Sequence, residues 1–202
     1  MFAAGSVEDL AKFYKAEGGI VVSGIWSVLV STSPEQSADF ARRYFGIFNS
    51  VVRGGWHLAV YAKHFSFNGE DRWASSPELH RHVESIRKEL SNSGEKVPKL
   101  CAVFFDPNVG AFDSRSVIIP FNHLQLANEA LYKAGFETTH QCIMRAFDAL
   151  ELDPYSRVPP NQVNDLLREL NHQLRIHRIK SLLTRPLAAL GNAALGAVVG
   201  AI

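Results

Sequence analysis

The stretch KVPKLCAVFFDP, residues 96–107, sets a proline two residues ahead of a nearly continuous apolar run. Residues 100–106 of that run are too apolar for a surface loop. They predict a β-strand that is covered on both faces. A strand covered on both faces needs helices above and below its sheet, so the stretch favours an α/β fold.

Three further segments have the composition of strands. IVVSGIWSVLV, residues 20–30, predicts a strand over 25–30, with a short extended piece at 20–22 before it. WHLAVYAKHF, residues 56–65, predicts the next strand along the chain. SVIIPF, residues 116–121, predicts a strand after the one at 100–106, and Pro120 favours an edge position for it. SFNGEDRWAS, residues 66–75, is expected to be a polar loop.

Helices are predicted before, between and after these strands, the first over residues 7–16. Ser33 can cap the next helix, with Pro34 at its first position and Gln36 where a capping box requires it. Ser76 and Pro77 begin a similar helix. Later helices are expected at 122–133 with Gly135 as the stop, at 138–152 and at 161–184.

The resulting order is β-α-β-α-β-β-α with more helix after it. Two β-α-β crossovers predict a central sheet with helices on its faces. The segment DPYSRVPP, residues 153–160, interrupts the helical pattern and indicates a boundary. We therefore divide the chain into an N-terminal helix and lead-in (1–24), an α/β domain with an extra helix (25–153), and a helical extension with an Ala/Gly-rich tail (154–202).

Composition narrows the classes of function. The formal net charge of +1 over 202 residues lacks the basic excess of a nucleic-acid binder, so that class of partner is not expected. Cys101 and Cys142 lie in apolar surroundings and are expected to be reduced core thiols in an intracellular, reducing compartment. The N-terminal residues have the pattern of neither a secretory signal nor a transit peptide.

The element order, with VP ahead of the third main strand, resembles the thioredoxin-like superfamily over about residues 25–134. The resemblance implies a central mixed sheet flanked by helices, here with a C-terminal helical extension. It also implies that Pro98 is a cis proline before its strand. The redox members carry two cysteines at the start of the first long helix, where the helix N-terminus lowers a thiol pKa. That place reads STSPEQ here, so the domain is expected to be redox-inactive.

A fainter resemblance is to the glutathione transferases, which belong to the same superfamily. KVPKL is similar to their segment before the strand hairpin, and a helical region follows in both. This resemblance implies glutathione as a ligand, with a serine-like hydroxyl from Ser31, Thr32 or Ser33 beside its thiol. The segment PFNH replaces the acidic-Ser pair of that family and weakens the match. Under every other interpretation no cofactor is expected.

Metal binding and catalysis find no support in the residue spacing. The histidine pairs at 80 and 82, 57 and 64, and 172 and 177 do not converge on one face of a predicted element. Asp106 ends a predicted strand, but an aspartate before Pro and Asn also begins a turn. We assign no catalytic residue and no metal ligand.

The candidate contacts with partners lie mostly near the C-terminus. Arg175 and Arg178 belong to a basic amphipathic stretch with Leu182 and Leu183, and residues 187–202 carry no charge. Gly196 and Gly200 have the spacing that lets helices approach closely. Docking onto a partner protein or onto the chain itself is the first interpretation, and contact with a membrane surface is the second. Trp73, within the expected polar loop, is a further candidate contact.

Three hypotheses of function follow from these observations. The first is a non-catalytic interaction or assembly subunit, with a redox-inactive thioredoxin-like platform and a C-terminal attachment to other subunits, to itself or to a membrane surface. The second is an enzyme of the glutathione-transferase type, and the third is a membrane-active effector that works through the tail.

Overall fold

The computed structural model of the chain describes residues 1–3, 23–52, 54–67, 70–107, 112–121 and 129–178. The helix predicted over 7–16, the extended piece at 20–22 and the start of the helix predicted from Asn122 lie outside these residues. The same holds for Leu182, Leu183, Gly196 and Gly200.

Seven strands occur in the described part of the chain. They are β1 (Phe2–Ala3), β2 (Ile25–Val30), β3 (Trp56–Val60), β4 (Lys63–Phe67), β5 (Glu70–Ala74), β6 (Cys101–Phe104) and β7 (Val117–Pro120). Five of them form one mixed sheet in the order β1-β3-β2-β6-β7, and β4 pairs with β5 in a separate hairpin.

The sheet contains parallel and antiparallel neighbours. Strand β3 runs parallel to β1 and β2, whereas β6 runs antiparallel to β2 and to β7. The opening stretch therefore supplies a central strand, and all four residues of β6 are buried, as its composition predicts. Pro120 lies on the edge strand β7, where its missing N–H costs no ladder hydrogen bond.

The helices are α1 (Pro34–Val51), α2 (Pro77–Asn92), α3 (Glu129–Ala149) and α4 (163–178), with a 3-10 turn at Pro160–Gln162. Capping fixes the starts of the first two. The side chain of Ser33 accepts a hydrogen bond from the backbone N–H of Gln36, and Ser76 accepts one from that of Leu79. Both predicted caps are confirmed.

Side-chain alternation along β2 separates the core into two layers. Ile25 and Leu29 point to the face covered by α1, α3 and α4, while Trp26, Val28 and Val30 point to the face covered by α2. The chain is thus α/β, with a central mixed sheet between helices and a helical extension after it, as the sequence predicts.

Three expectations about single elements are wrong. WHLAVYAKHF, residues 56–65, is not one strand, because it divides between β3 and β4, which belong to separate sheets. Gly135 does not end a helix, because α3 runs without a break from Glu129 to Ala149. A glycine inside a helix costs about 1 kcal/mol relative to alanine, which the burial of neighbouring Tyr132 and Phe136 outweighs. The expected polar loop at 66–75 is largely the β4–β5 hairpin.

The break at 153–160 interrupts the helices without dividing the core. Residues after the break pack into the same apolar cluster as β2, α1 and α3; they are Val158, Val163, Leu166, Leu167 and Leu170. The described part of the C-terminal extension is therefore built onto the α/β domain.

Candidate functional site

One end of the sheet brings together the hydroxyl-bearing segment and the segment at Pro98. Val30, the last residue of β2, pairs with Cys101, the first residue of β6, and α1 begins only four residues after Val30. The register therefore places Ser31, Thr32 and Ser33 at the same end of the strands as the residues that precede β6. The resemblance to redox members would put reactive cysteines at this corner.

The hydroxyl groups of this corner are engaged with one another and with the first turn of α1. The Oγ of Ser31 donates to the carbonyl oxygen of Ser33 at 2.9 Å and lies 2.7 Å from the Oγ of Ser37. The Oγ1 of Thr32 donates to the Oε1 of Gln36 at 3.0 Å, and the backbone N–H of Thr32 donates to the same oxygen at 2.9 Å. Ser31 is fully buried. The arrangement stabilises the helix start and leaves the Ser31 hydroxyl turned away from solvent.

Gln36 completes a variant of the capping box that the sequence predicts. Its side chain reaches back to the residue before the N-cap, Thr32, and not to Ser33 itself. The three predicted ligand-binding residues of this segment are thus brought together, and each of them takes part in helix capping.

The peptide bond before Pro98 is trans, since no cis bond occurs among the described residues. It therefore departs from the cis proline that the resemblance implies. Arg87 of α2 holds this segment, with Nη1 donating to the carbonyl oxygen of Pro98 at 2.8 Å and Nη2 to that of Val97 at 3.4 Å. These carbonyl groups face α2, and trans is also the isomer of lower free energy by about 0.5–1 kcal/mol.

Both cysteines are core residues without reactive character. Cys101 is fully buried in β6, and burial raises the pKa of its thiol to about 12. Cys142 is buried in α3, where burial also raises its thiol pKa. Neither thiol is ionised near neutral pH, and the thiolate is the form that attacks disulfides.

Helix α4 presents a basic face beside its buried one. The helix packs against the core through Leu166, Leu167 and Leu170. Arg175 and Arg178 are exposed, which their predicted role in partner contact requires. Exposed Arg168 and His172 extend the same surface, which we call the α4 basic face (Arg168, His172, Arg175 and Arg178). Arg168 forms an ion pair with Asp165.

Trp73 is a core residue and is not exposed for the contact with a partner that the sequence suggested for it. Its side chain is only 3% exposed, and its ring packs against Phe45 and His64 at centroid distances of 5.5 and 4.6 Å. The correction follows from strand alternation, because Trp73 and its cross-strand partner His64 point toward α1. Phe65, on the opposite face of the hairpin, is 49% exposed.

A cavity of about 570 Å³ lies between β7, α3 and α4. Its lining is mostly apolar, with basic side chains at one side. The described lining residues are Ile119, Pro120, Phe121, Ala134, Gly135, Thr138, Thr139, Leu174, His177 and Arg178. The sequence did not predict this cavity, because a helix end was expected at Gly135. The detectable signal was the small residues Ala134, Gly135 and Thr138 on one continuous helix.

Two kinds of site find no geometric support within the described ranges. The His, Cys, Asp and Glu side chains there form no group of three that is able to hold a metal ion. In the same part of the chain, none of the helices combines the length and apolar character needed to cross a membrane.

Comparisons with protein-family models, with curated proteins and with solved structures found no match to this chain.

Proposed function

We propose that this chain is a non-catalytic subunit of an intracellular protein assembly. A redox-inactive thioredoxin-like domain serves as its rigid platform, and α4 with the segment after it makes the attachment. The single observation that carries the proposal is that Ser31, Ser33 and Ser37 are hydrogen-bonded at the start of α1, the corner where redox members of the thioredoxin-like superfamily carry thiols.

The strand arrangement supports the thioredoxin-like part of the proposal. Two parallel strands, β3 and β2, are joined through α1, and the antiparallel strands β6 and β7 follow α2. A hairpin-like pair of strands followed by a helix, α3, is the order that the resemblance implies. The buried thiols Cys101 and Cys142 support the loss of redox chemistry.

The structure of α4 supports the role in attachment. Its leucines belong to the domain core, so the helix is held rigidly, and its basic face stays accessible to a partner. The sequence continues from Arg178 into the uncharged residues 187–202. A cationic face followed by an apolar segment fits a partner surface with an acidic rim and an apolar centre.

The test compares charge reversals on two helices of the full-length chain. Epitope-tagged wild type, Arg175→Glu and Lys88→Glu are expressed in the native source and sized by sedimentation of the extract. Lys88 is an exposed residue of α2, on the other side of the sheet, and is the matched control. We expect wild type and Lys88→Glu to sediment as one stoichiometric complex, and Arg175→Glu to shift toward the monomer.

Three results would contradict the proposal. The first is a wild-type chain that sediments as a monomer, and the second is a monomer that floats with anionic vesicles, which points to the membrane-active effector. The third is retention on immobilised glutathione that is lost on replacing Ser31, Thr32 or Ser33, which points to the transferase. Ser31 already donates its hydroxyl proton within the protein, so we expect no such retention.

A further inference from the structure

The cavity between β7, α3 and α4 has the size and lining of a small-molecule site. Its volume of about 570 Å³ lies within the range of roughly 300–1,000 Å³ that is usual for ligand pockets. Small residues create the space, because Ala134, Gly135 and Thr138 leave α3 without large side chains opposite Leu174 of α4.

The cavity is polarised along its length. Ile119, Phe121 and Leu174 give it an apolar wall, whereas His177 and Arg178 bring basic groups to the α4 side. Thr138 and Thr139 add hydroxyl groups from α3, and Thr139 is only 4% exposed. Among the lining residues that the structure describes there is no aspartate or glutamate. The lining therefore complements a molecule with an apolar body and one anionic end.

We propose that this cavity binds a long-chain monocarboxylate, with its hydrocarbon chain along Ile119, Phe121 and Leu174 and its carboxylate at Arg178. The planar guanidinium group matches a carboxylate with two parallel hydrogen bonds, which gives orientation as well as affinity. Burial of the hydrocarbon chain supplies the apolar part of the affinity. Arg178 belongs both to this cavity and to the α4 basic face, but the ligand proposal does not depend on the assembly function.

The same ligand chemistry has two sources, a free carboxylate and the anionic head of a membrane lipid. We commit to the free carboxylate, because three elements of the fold, β7, α3 and α4, line the cavity. The probe is tetradecanoate at a concentration below its micelle threshold. Tetradecyltrimethylammonium, with the same chain and the opposite charge, is the matched ligand control.

The experiment titrates the delipidated full-length chain by calorimetry. Arg178→Gln removes the charge at the cavity, and Arg175→Gln removes a charge one turn away that is not in the lining. Thr138→Phe fills the cavity from a half-buried position, and Ala134→Phe does so from an exposed one if Thr138→Phe fails to fold. Circular dichroism checks the fold of each variant.

We expect saturable binding of one tetradecanoate per chain and no saturable binding of the cationic analogue. Arg178→Gln should weaken the affinity by about tenfold or more, as expected for loss of a charge-assisted pair, while Arg175→Gln retains it. The folded cavity-filling variant should abolish binding. Wild type that binds no tetradecanoate would overturn the proposal. This holds both if the cavity is empty and if the chain's own C-terminal segment fills it. The proposal is also overturned if Arg178→Gln binds as wild type does, or if the chain floats with phosphatidylglycerol vesicles without binding tetradecanoate.

Discussion

A methyl group on Gly24 would lie 2.6 Å from the carbonyl oxygen of Gly55, closer than real Cβ atoms approach backbone. Gly24 has φ +80°, and Gly55 accepts a hydrogen bond from the backbone N–H of Ile25 at 2.9 Å. This contact sits where β2 and β3 begin as parallel neighbours, with Ile25 paired to Trp56. The start of the central sheet therefore depends on the absence of a side chain at Gly24.

Gly24→Ala should be strongly destabilising, and Gly94→Ala should be mild. At Gly24 the substitution combines a left-handed backbone with a backbone clash, so we expect a loss of more than about 3 kcal/mol in the free energy of unfolding. Gly94 has φ +86° with open space around its Cβ position, so only the backbone cost of about 1 kcal/mol applies. Denaturant unfolding monitored by circular dichroism measures both. Equal losses at the two sites would contradict the close approach.

The cap at Ser33 gives a second prediction. Ser33→Ala removes the acceptor for the Gln36 N–H and should lower the free energy of unfolding by about 1 kcal/mol, whereas Ser33→Gly should cost only a few tenths. Ser85→Ala, at an exposed position inside α2, is the control and should change stability by less than about 0.5 kcal/mol. If Ser33→Ala and Ser85→Ala have the same effect in denaturant unfolding, Ser33 is not the cap.

Thiol accessibility gives a third prediction. Because burial raises the pKa of Cys101 and Cys142, neither should react with a thiol-specific disulfide reagent at pH 8 in the folded protein. Both should react once guanidinium unfolds the chain. Thr32→Cys places a thiol at an exposed position at the corner and should add one rapid equivalent to the folded protein. Rapid labelling of folded wild type would contradict the assignment of both thiols to the core.

Acid should weaken the fold through two histidines. Burial lowers the pKa of His57, against the opposing effect of a hydrogen bond from its ring to the Ser23 backbone, and burial also lowers the pKa of His80. Unfolding therefore takes up protons below the ordinary histidine pKa of about 6.5, so the free energy of unfolding falls as pH falls from about 7 to 5. A His57→Gln/His80→Gln chain should show a shallower fall between those values in urea unfolding. An unchanged slope in this double variant would rule out the two histidines as the cause.

The elements that the sequence predicted best have strong local signals. Strand β2 matches its predicted bounds of 25–30, and β6 is the buried central strand that the apolar run at 100–106 indicates. Serine followed by proline at 33–34 and 76–77 determines both helix starts through side-chain caps. Periodicity and capping act over a few residues, so they can be recognised in sequence without knowledge of distant contacts.

The features that sequence reasoning missed depend on contacts between distant residues. The β4–β5 hairpin is held on α1 by the packing of Trp73 against Phe45, 28 positions apart by residue number. Gly135 stays helical because the burial of its neighbours against α1 and the sheet outweighs the low helix propensity of glycine. The cavity needs small residues of α3 to face α4, and the sequence shows the small residues but not the element that they face.

The most direct test of the central claim is a cysteine-free chain, Cys101→Ala/Cys142→Ala, expressed at native level in its source. If the protein acts by binding and uses no thiol chemistry, the folded variant should enter the sedimenting complex in the same proportion as wild type. A folded cysteine-free chain that stays outside a complex which wild type joins would show that a thiol is required, and would contradict the account.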